Sequence, residues 1–225
     1  MRGRIIFVTG TDTGVGKTVL TGLLLQHLRQ SGGRALAMKP FCSGARDDIR
    51  KLHRLQQGEL SEKEIAPYYF EQPLAPAAVR PRRKISLAEV VARIRKVQRR
   101  CEILIVEGIG GLMVPLNERW TVADLVARLK CEVIVVGRNR LGTLNHTLLT
   151  VSVLQRVGIK AFKVVLMEQK RGDYSAGSNL RILSERLGKW RVFGVGYLAG
   201  GAGKRGGQKK SDDKLKKTLA QLVVG

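Results

Sequence analysis

The sequence predicts an α/β fold, in which a doubly wound, mostly parallel sheet is covered by helices on both faces. Short, nearly continuous apolar stretches alternate with amphipathic helical patterns along most of the 225 residues. Strands that are apolar at every position are typical of parallel sheets, because both of their faces are buried. The length suits one domain, and neither internal repeats nor a domain boundary divides residues 1–225.

The individual elements follow from periodicity. β-branched, apolar runs bounded by turn residues predict strands over residues 5–8, 34–39, 101–111, 131–139, 161–169 and 190–198. Apolar residues at helical spacing predict helices over residues 19–28, 44–55, 87–100, 121–130, 143–158, 179–188 and 214–223. Residues 66–84 hold four of the six prolines and are expected to form an irregular loop. The glycine- and lysine-rich residues 200–213 predict a basic, flexible loop.

The composition bounds the location and the partners of the chain. No apolar run approaches the roughly 20 residues that span a bilayer, and the amino terminus enters a strand without the pattern of a secretory signal. Three isolated cysteines, Cys42, Cys101 and Cys131, favour reduced thiols. We therefore expect a cytoplasmic protein without a membrane partner.

The chain is strongly basic, with 41 Lys and Arg against 18 Asp and Glu and a formal charge of +23. Such a charge attracts anions and speeds their capture. The basic residues are spread along the chain, aromatic residues are only 5%, and no helix-turn-helix or zinc-finger pattern is present. We expect an anionic nucleotide substrate and no specific nucleic-acid partner.

The segment GTDTGVGKT, residues 10–18, joins the first strand to the first helix. Glycines allow consecutive N–H groups to turn inward, and the start of a helix attracts an anion. Lys17 is placed to reach the phosphates of a nucleotide, and Thr18 to offer a hydroxyl to Mg²⁺. One extra residue separates Gly10 from Gly16 compared with the usual spacing. The segment predicts a P-loop NTPase-like fold; the alternative is a glycine-rich turn without a ligand.

Charged side chains follow two other predicted strands. Ligands of such folds bind beyond the carboxyl ends of the strands, where Lys39, Glu107 and Gly137 fall. A buried carboxylate needs a cation or donors, so Glu107 is a candidate Mg²⁺ ligand, together with Asp48. A buried ion pair remains the alternative for Glu107, and stabilisation of a first helical turn the alternative for Asp48. Lys39 either neutralises a phosphoryl group in transfer or is an exposed lysine.

Four stretches together resemble dethiobiotin synthase, an ATP-dependent carboxylase of biotin biosynthesis: GTDTGVGKT, KPFCSG, VEGIGGLMVPL and GRNRLGTLNHTLL. The resemblance extends from residue 5 to about residue 158 and weakens beyond it. The enlarged loop between Gly10 and Gly16 is itself a feature of that family. Several motifs in the right order are more specific than the loop alone.

The resemblance implies a homodimer that converts 7,8-diaminononanoate, CO2 and ATP into dethiobiotin, ADP and phosphate, with Mg²⁺ as cofactor. A carbamate forms first, is phosphorylated, and is then closed to a cyclic urea. The implied catalytic residues are Lys17, Lys39 and Thr13. The implied nucleotide contacts are Asp12, Thr13, Gly14, Val15, Gly16, Lys17, Thr18 and Glu107, and the implied metal ligands are Thr18, Asp48 and Glu107.

The resemblance also implies two groups of substrate contacts. Thr13, Lys39 and Ser43 match positions at the diamine or carbamate. The segment Gly142, Thr143, Leu144 and Asn145 matches the part that crosses the dimer interface and receives the substrate's carboxylate at a helix start. From the residues alone, Asn145 is equally an ordinary polar residue of an early helical turn.

Two departures and three alternatives remain. Where the family usually has an asparagine that recognises adenine, this chain has Met167-Glu168, so another nucleoside triphosphate is an alternative to ATP. Its basic tail also differs from the usual ending. A switch ATPase of the partitioning or septum-positioning type would carry a second lysine where this loop has Thr11 and Asp12. An amidotransferase-type synthetase would need a further domain, and a nucleotide-binding paralogue without carboxylase activity would have lost some of its catalytic residues.

Overall fold

A computed structural model describes residues 3–79, 85–197 and 205–224. Six parallel strands form one sheet in the order β2-β5-β1-β6-β7-β8, and two short parallel strands, β3 and β4, form a second sheet. The strands are β1 Arg4–Gly10, β2 Ala35–Met38, β3 Phe41–Ser43, β4 Tyr68–Phe70, β5 Ile103–Gly111, β6 Glu132–Arg138, β7 Phe162–Met167 and β8 Val192–Val195. The predicted α/β fold with a parallel sheet is confirmed.

Helices connect the strands of the large sheet. They are α1 Lys17–Gln30, α2 Asp47–Leu55, α3 Glu62–Ile65, α4 Leu87–Gln98, α5 Val122–Leu129, α6 Thr143–Arg156, α7 Ala176–Leu187 and α8 Arg205–Val223. Helix α1 packs against α2 and α8, whereas α4 packs against α5 and α6 against α7. The connection from β1 to β2, which contains α1, runs toward one edge of the sheet, whereas the connections through α4, α5, α6 and α7 run toward the other edge. Because such crossovers are almost always right-handed, α1 is expected on one face of the sheet and α4 to α7 on the other.

The core is the central part of the sheet. Ile6 and Val8 of β1, Leu104 and Val106 of β5, and Val135 of β6 are all fully buried. Consecutive positions on these strands are apolar because helices cover both faces, which explains why the sequence shows runs instead of alternation. The change in chain direction beside β1 opens a crevice at the carboxyl ends of the central strands.

The structure corrects two loop predictions. Part of the proline-rich stretch 66–84 is ordered: it contains β4 and a 3-10 turn at Pro76–Ala78, and residues 80–84 lie outside the described residues. The flexible loop predicted over 200–213 is wrong for residues 205–213, because α8 begins at Arg205; residues 198–204 lie outside the described residues. Residues 205–213 read RGGQKKSDD and contain no large apolar residue, so they show no helical period in the sequence.

Three short elements were not predicted. Strands β3 and β4 have three residues each, and α3 has four, so none of them contains enough sequence to show a period. A capping box between Ser61 and Glu64 starts α3. In the ranges that the structure describes, we find no helix with both the length and the apolarity needed to cross a bilayer.

Candidate functional site

The loop after β1 has the geometry of an anion cradle. Gly14 and Gly16 have φ angles of 65° and 105°, which only glycine adopts without strain. A Cβ on Gly16 would also lie 3.1 Å from Cγ of Met167. The Thr11 N–H donates to the Val136 carbonyl oxygen at 2.9 Å and joins the loop to β6. The loop is therefore held by its neighbours in a fixed, open turn.

Helix α1 begins in this loop without a side-chain cap. Its N-cap is Gly16, and no acidic residue lies in its first turn. By contrast, Ser61 caps α3 and Ser86 caps α4 with their side chains. The first N–H groups of α1 thus remain available to an anionic ligand, and the helix dipole adds to the attraction.

Lys17 is buried, and its ammonium lies inside the loop. Its Nζ donates to the Asp12 carbonyl oxygen at 2.8 Å. Burial lowers the pKa of Lys17 to about 8; the carboxylate of Glu107 opposes this shift, and the nearby Lys39 ammonium adds to it. A cation that is poorly solvated and weakly paired gains much when phosphate oxygens arrive.

The strand register brings a group of charges beside the loop. Glu107 lies on β5 opposite Val8 of β1, and Val106 pairs with Met38 of β2. Lys39, the residue after Met38, therefore lies next to Glu107. Its Nζ donates to Glu107 Oε1 at 2.8 Å and also to Asp48 Oδ2, while the Thr18 hydroxyl donates to Glu107 Oε1 at 2.7 Å.

Lys39 is held as an ammonium by this group. Burial alone would lower its pKa, but the carboxylates of Glu107 and Asp48 outweigh burial and raise the pKa of Lys39 above its usual value. Lys39 is only 8% exposed, so its interpretation as an exposed lysine is wrong. Glu107 is indeed in a buried ion pair, the alternative that its sequence position left open.

The arrangement also fits a divalent cation. Glu107 is fully buried, and its second oxygen, Oε2, has no hydrogen-bond partner in the described part of the chain. Thr18, Asp48 and Glu107 together offer hydroxyl and carboxylate oxygens, the donors that Mg²⁺ prefers. The described residues contain no cluster of three or more His, Cys, Asp or Glu side chains that would hold a metal without other ligands. Such a site therefore needs oxygens from a ligand as well.

A cavity of about 380 Å³ joins the loop to the charged group. Among the residues predicted for the site, its lining includes Thr13, Gly14, Gly16, Lys17, Thr18, Lys39, Ser43, Asp48 and Glu107. Val15 is instead 4% exposed, and its side chain packs in the core beneath the loop and not in the cavity. Asp12 does not belong to the lining of this cavity, and its Oδ1 accepts from the Thr13 N–H at 2.6 Å.

The start of α6 lies apart from this cavity within one chain. Gly142, Leu144 and Asn145 do not line the 380 Å³ cavity, and Asn145 is exposed. Thr143 borders a small recess that also touches Asp12 and Thr13. Helix α6 resembles α1 in starting from a glycine, Gly142, without a side-chain cap or an acid in its first turn. The predicted role of this segment across a dimer remains a prediction.

Sequence reasoning missed Arg138 and Asn139 at the end of β6. The Arg138 guanidinium donates twice to the Gly14 carbonyl oxygen, at 3.1 and 2.8 Å, and so braces the loop. Asn139 is 1% exposed and donates to Glu168 Oε1 at 2.7 Å. The sequence analysis had placed Gly137 at the carboxyl end of this strand. Because ligands bind beyond such ends, the two residues that follow Gly137 could have been proposed as site residues.

The lowered pKa of Lys17 predicts pH-dependent nucleotide binding. Phosphates raise the pKa of a neighbouring ammonium. Below pH 8 Lys17 is already protonated in the free protein and binding takes up no proton, whereas well above pH 8 binding takes up about one proton per nucleotide. Affinity for a nucleoside diphosphate should fall about tenfold per pH unit above pH 8. Titration calorimetry at pH 7 and 9 in buffers of different ionisation enthalpy measures the uptake. In Lys17→Arg, whose guanidinium stays charged, the uptake should vanish; equal uptake in both proteins contradicts the assignment.

Comparisons with known proteins agree with this geometry. A family model described as an AAA domain matches residues 4–195. The signal recognition particle receptor FtsY from Elizabethkingia anophelis, solved in complex with GDP, has a TM-score of 0.51 at 14% identity and covers 100% of this chain and 65% of its own. That likeness concerns the fold alone. The fold and the loop define a P-loop protein of the α/β nucleotide-binding class.

Curated relatives identify a family within this class of nucleotide-binding proteins. ATP-dependent dethiobiotin synthetases are 40% identical in Bacillus velezensis, over 72% of this chain and 73% of the relative, and 46% identical in Anaeromyxobacter dehalogenans strain 2CP-C, over 74% and 76%. The enzyme of Endomicrobium trichonymphae is 35% identical over 85% of this chain and 92% of its own. The chain belongs to the dethiobiotin synthetase family.

Proposed function

We propose that this protein is an ATP-dependent dethiobiotin synthetase, a cyclo-ligase of biotin biosynthesis. The observation that carries the proposal is the cavity in which the phosphate loop, two ammonium groups and a buried carboxylate converge. The relatives that share most of the chain bear this enzyme's name.

The order of the steps follows from the carbamate, whose carbon is a poor electrophile until one of its oxygens carries a phosphoryl group. One amine of 7,8-diaminononanoate adds to CO2 and loses a proton, which gives a carbamate. A carbamate oxygen attacks the γ-phosphorus of ATP, and ADP leaves. The second amine then attacks the carbamoyl carbon, loses a proton and expels phosphate, which closes the five-membered cyclic urea. Phosphoryl transfer of this kind depends mainly on positioning and on charge neutralisation.

The charges of the cavity suit these steps. The Lys17 ammonium faces the loop and neutralises the transferred phosphoryl group and the leaving diphosphate. The Lys39 ammonium belongs to the lining of the same cavity, and in this proposal it contacts the carbamate and the γ-phosphoryl group. The hydroxyls of Thr13 and Ser43 line the same cavity and orient the carbamate by hydrogen bonds.

Thr18, Asp48 and Glu107 would hold Mg²⁺ together with phosphate oxygens. The unpartnered Oε2 of Glu107 supports this assignment, because a buried carboxylate oxygen without a donor is costly. When bound, Mg²⁺ supplies positive charge to the β- and γ-phosphates. Without the metal, the Lys39 ammonium pairs with the carboxylates of both Asp48 and Glu107 and so offsets the repulsion between them.

The isosteric substitution Glu107→Gln tests the metal assignment. It removes one charge but retains the side-chain volume, so we expect the Mg²⁺ concentration for half-maximal activity to rise by about tenfold or more. Mg²⁺ titrations of phosphate release at saturating ATP measure this value. Glu102→Gln changes an exposed acid just before β5, at the amino ends of the strands; it serves as control and should leave this concentration unchanged. An unchanged Mg²⁺ requirement in Glu107→Gln would refute the assignment.

We also infer a homodimer in which the start of α6 completes the partner's site. Leu141 is 80% exposed and Leu149 is 58% exposed, which leaves apolar surface on and beside α6 for a second copy. The uncapped start of α6 suits the carboxylate of the diamine. Light scattering gives the mass in solution, and a monomer at working concentration contradicts this inference. A cytoplasmic location stays a prediction, drawn from the scattered cysteines.

The proposed function is tested by product formation. The full chain is incubated with 7,8-diaminononanoate, ¹³C-bicarbonate, Mg²⁺ and ATP, and the products are analysed by mass spectrometry. We expect a labelled cyclic urea and one phosphate for each ring closed. Phosphate release that ignores the diamine would indicate a switch ATPase, and nucleotide binding without phosphate release would indicate an inactive paralogue.

A further inference from the structure

The phosphate loop is joined to strand β6 at two places. Where the loop begins, the Thr11 N–H donates to the Val136 carbonyl oxygen at 2.9 Å. In the middle of the loop, the Gly14 carbonyl oxygen accepts from Nε and Nη2 of Arg138, at 3.1 and 2.8 Å. Arg138 is the last residue of β6 and pairs with Met167 of β7, so its guanidinium extends from a backbone that the sheet holds in place.

The guanidinium lies directly against Gly14. A Cβ built on Gly14 would lie 2.8 Å from Arg138 Nη2, so a side chain at this position would displace the guanidinium. In the parts of the chain that the structure describes, the Arg138 side chain makes no other hydrogen bond and no ion pair. The planar fork of arginine directs two N–H groups at one acceptor, an arrangement that a lysine ammonium does not reproduce. The contact is therefore specific to arginine.

The orientation of the peptide between Gly14 and Val15 depends on this contact. Gly14 has a φ angle of 65°, and glycine tolerates more than one orientation of the peptide that follows it. In a planar trans peptide, the C=O and N–H bonds point in opposite directions. Because the guanidinium holds the Gly14 carbonyl oxygen, it also sets the direction of the Val15 N–H, which points away from Arg138.

The backbone donors of the loop have no acceptors of their own. The N–H groups of Gly14, Val15 and Gly16 donate no hydrogen bond to any residue that the structure describes. Backbone donors at the start of a helix are the groups that bind phosphate oxygens. If the peptide after Gly14 were inverted, it would present a carbonyl oxygen in place of the Val15 N–H, and that oxygen would repel an anion.

We propose that Arg138 is a positioning residue for the nucleotide. By holding the Gly14 carbonyl oxygen, it turns the Val15 N–H toward the bound phosphates, and it acts through this peptide without contacting the phosphates itself. Its effect is on affinity, because a loop that is already in the binding orientation needs no rearrangement when the nucleotide arrives. The inference rests on the proposed binding of a nucleoside triphosphate at this loop and names a further residue on which that binding depends.

The affinity of the full chain for ADP with Mg²⁺, measured by titration calorimetry, tests the proposal. We expect Arg138→Met to weaken binding by about tenfold, the usual effect of losing hydrogen bonds to a charged group. Arg138→Lys retains the charge but not the fork and should recover only part of this loss. Arg140→Met is the charge-matched control: Arg140 is exposed and its side chain makes no hydrogen bond to the described residues, so affinity should change by less than about twofold.

Two calorimetric results overturn the proposal. Equal affinities in Arg138→Met and the unaltered chain would show that the contact has no effect on binding. Full recovery in Arg138→Lys would show that only the charge matters. If the unaltered chain does not bind ADP at all, the proposed nucleotide use fails as well, so the failure of the positioning role and that of the proposed function give different results.

Nuclear magnetic resonance observes the peptide itself. Labelling glycine with ¹³C at the carbonyl and valine with ¹⁵N selects Gly–Val peptides, of which the sequence contains two, Gly14–Val15 and Gly194–Val195. The second lies in β8 and reports whether a variant retains its sheet. In the unaltered chain, ADP should move the Val15 amide proton downfield, because a phosphate oxygen is a strong acceptor.

The nucleotide-free variant gives the complementary result. In Arg138→Met, exchange between two orientations of the peptide should broaden the Val15 resonance, and saturating ADP should sharpen it again. The Val195 resonance should stay sharp throughout. A Val15 amide that does not respond to ADP in the unaltered chain, or that remains sharp in nucleotide-free Arg138→Met, overturns the proposal.

Discussion

Replacing Lys17 with alanine is expected to reduce cyclic urea formation by about 10³-fold or more. The ammonium of Lys17 is buried beside the loop, and its one hydrogen bond to the described residues, to the Asp12 carbonyl oxygen, leaves two of its donors for phosphate oxygens. Loss of one such group from a site that excludes water typically costs about 10²–10³ in rate, and in the proposed mechanism Lys17 serves both the transferred group and the leaving group. The ratio kcat/KM for ATP, measured by product formation, gives the effect.

The matched control is Lys160→Ala, which removes an exposed lysine from the turn before β7. It should retain activity within about twofold, because an exposed charge far from the cavity adds little to local binding. Thermal melts of both variants separate catalytic loss from unfolding. Lys17→Ala that folds and turns over at a tenth of the original rate or better would contradict the role of Lys17.

Replacing Lys39 with methionine is expected to lower kcat by about 10²-fold or more while nucleotide affinity changes by less than about tenfold. Lys39 lines the same cavity as the loop, and in the proposed mechanism it contacts the phosphoryl group as that group moves to the carbamate, so its effect would belong to the transition state. Single-turnover phosphate release and calorimetric ADP binding measure the two quantities.

Lys39→Met is also expected to lower the stability of the protein, because the substitution leaves Glu107 buried without its cation. A loss of activity in this variant alone therefore does not distinguish a catalytic role from a structural one. Lys39→Arg keeps the positive charge beside Asp48 and Glu107 and should restore most of the thermal stability. Its larger, planar head group cannot reproduce the position of the ammonium, so activity should remain low. If Arg restores activity together with stability, Lys39 serves only to hold the carboxylates.

Much of the site follows from local sequence. Gly14, Gly16 and Lys17 lie within one strand–turn–helix unit, so their positions depend on few long-range contacts. Lys39 was found because it follows an apolar strand and Glu107 because it lies toward the carboxyl end of one, and the carboxyl ends of parallel strands lie together. The structure adds that the register of β2 and β5 brings these two residues together as an ion pair.

The rest depended on side chains brought together across the fold. Asn139, Glu168 and Asn179 come from the ends of β6 and β7 and from α7, and no local pattern links them. Arg138 resembles any of the many basic residues until its two bonds to Gly14 are seen. Strand β4 was missed because three residues among prolines show no alternation.

The central claim is that the γ-phosphoryl group passes to a carbamate oxygen in the cavity between Lys17 and Lys39. In ¹⁸O-labelled bicarbonate, with the diamine, Mg²⁺ and ATP, a carbamate oxygen is phosphorylated and leaves with phosphate when the ring closes. Mass spectrometry of the released phosphate should then show one ¹⁸O atom for each cyclic urea formed. Phosphate whose new oxygen comes from water would mean that the nucleotide is simply hydrolysed, and would contradict the claim.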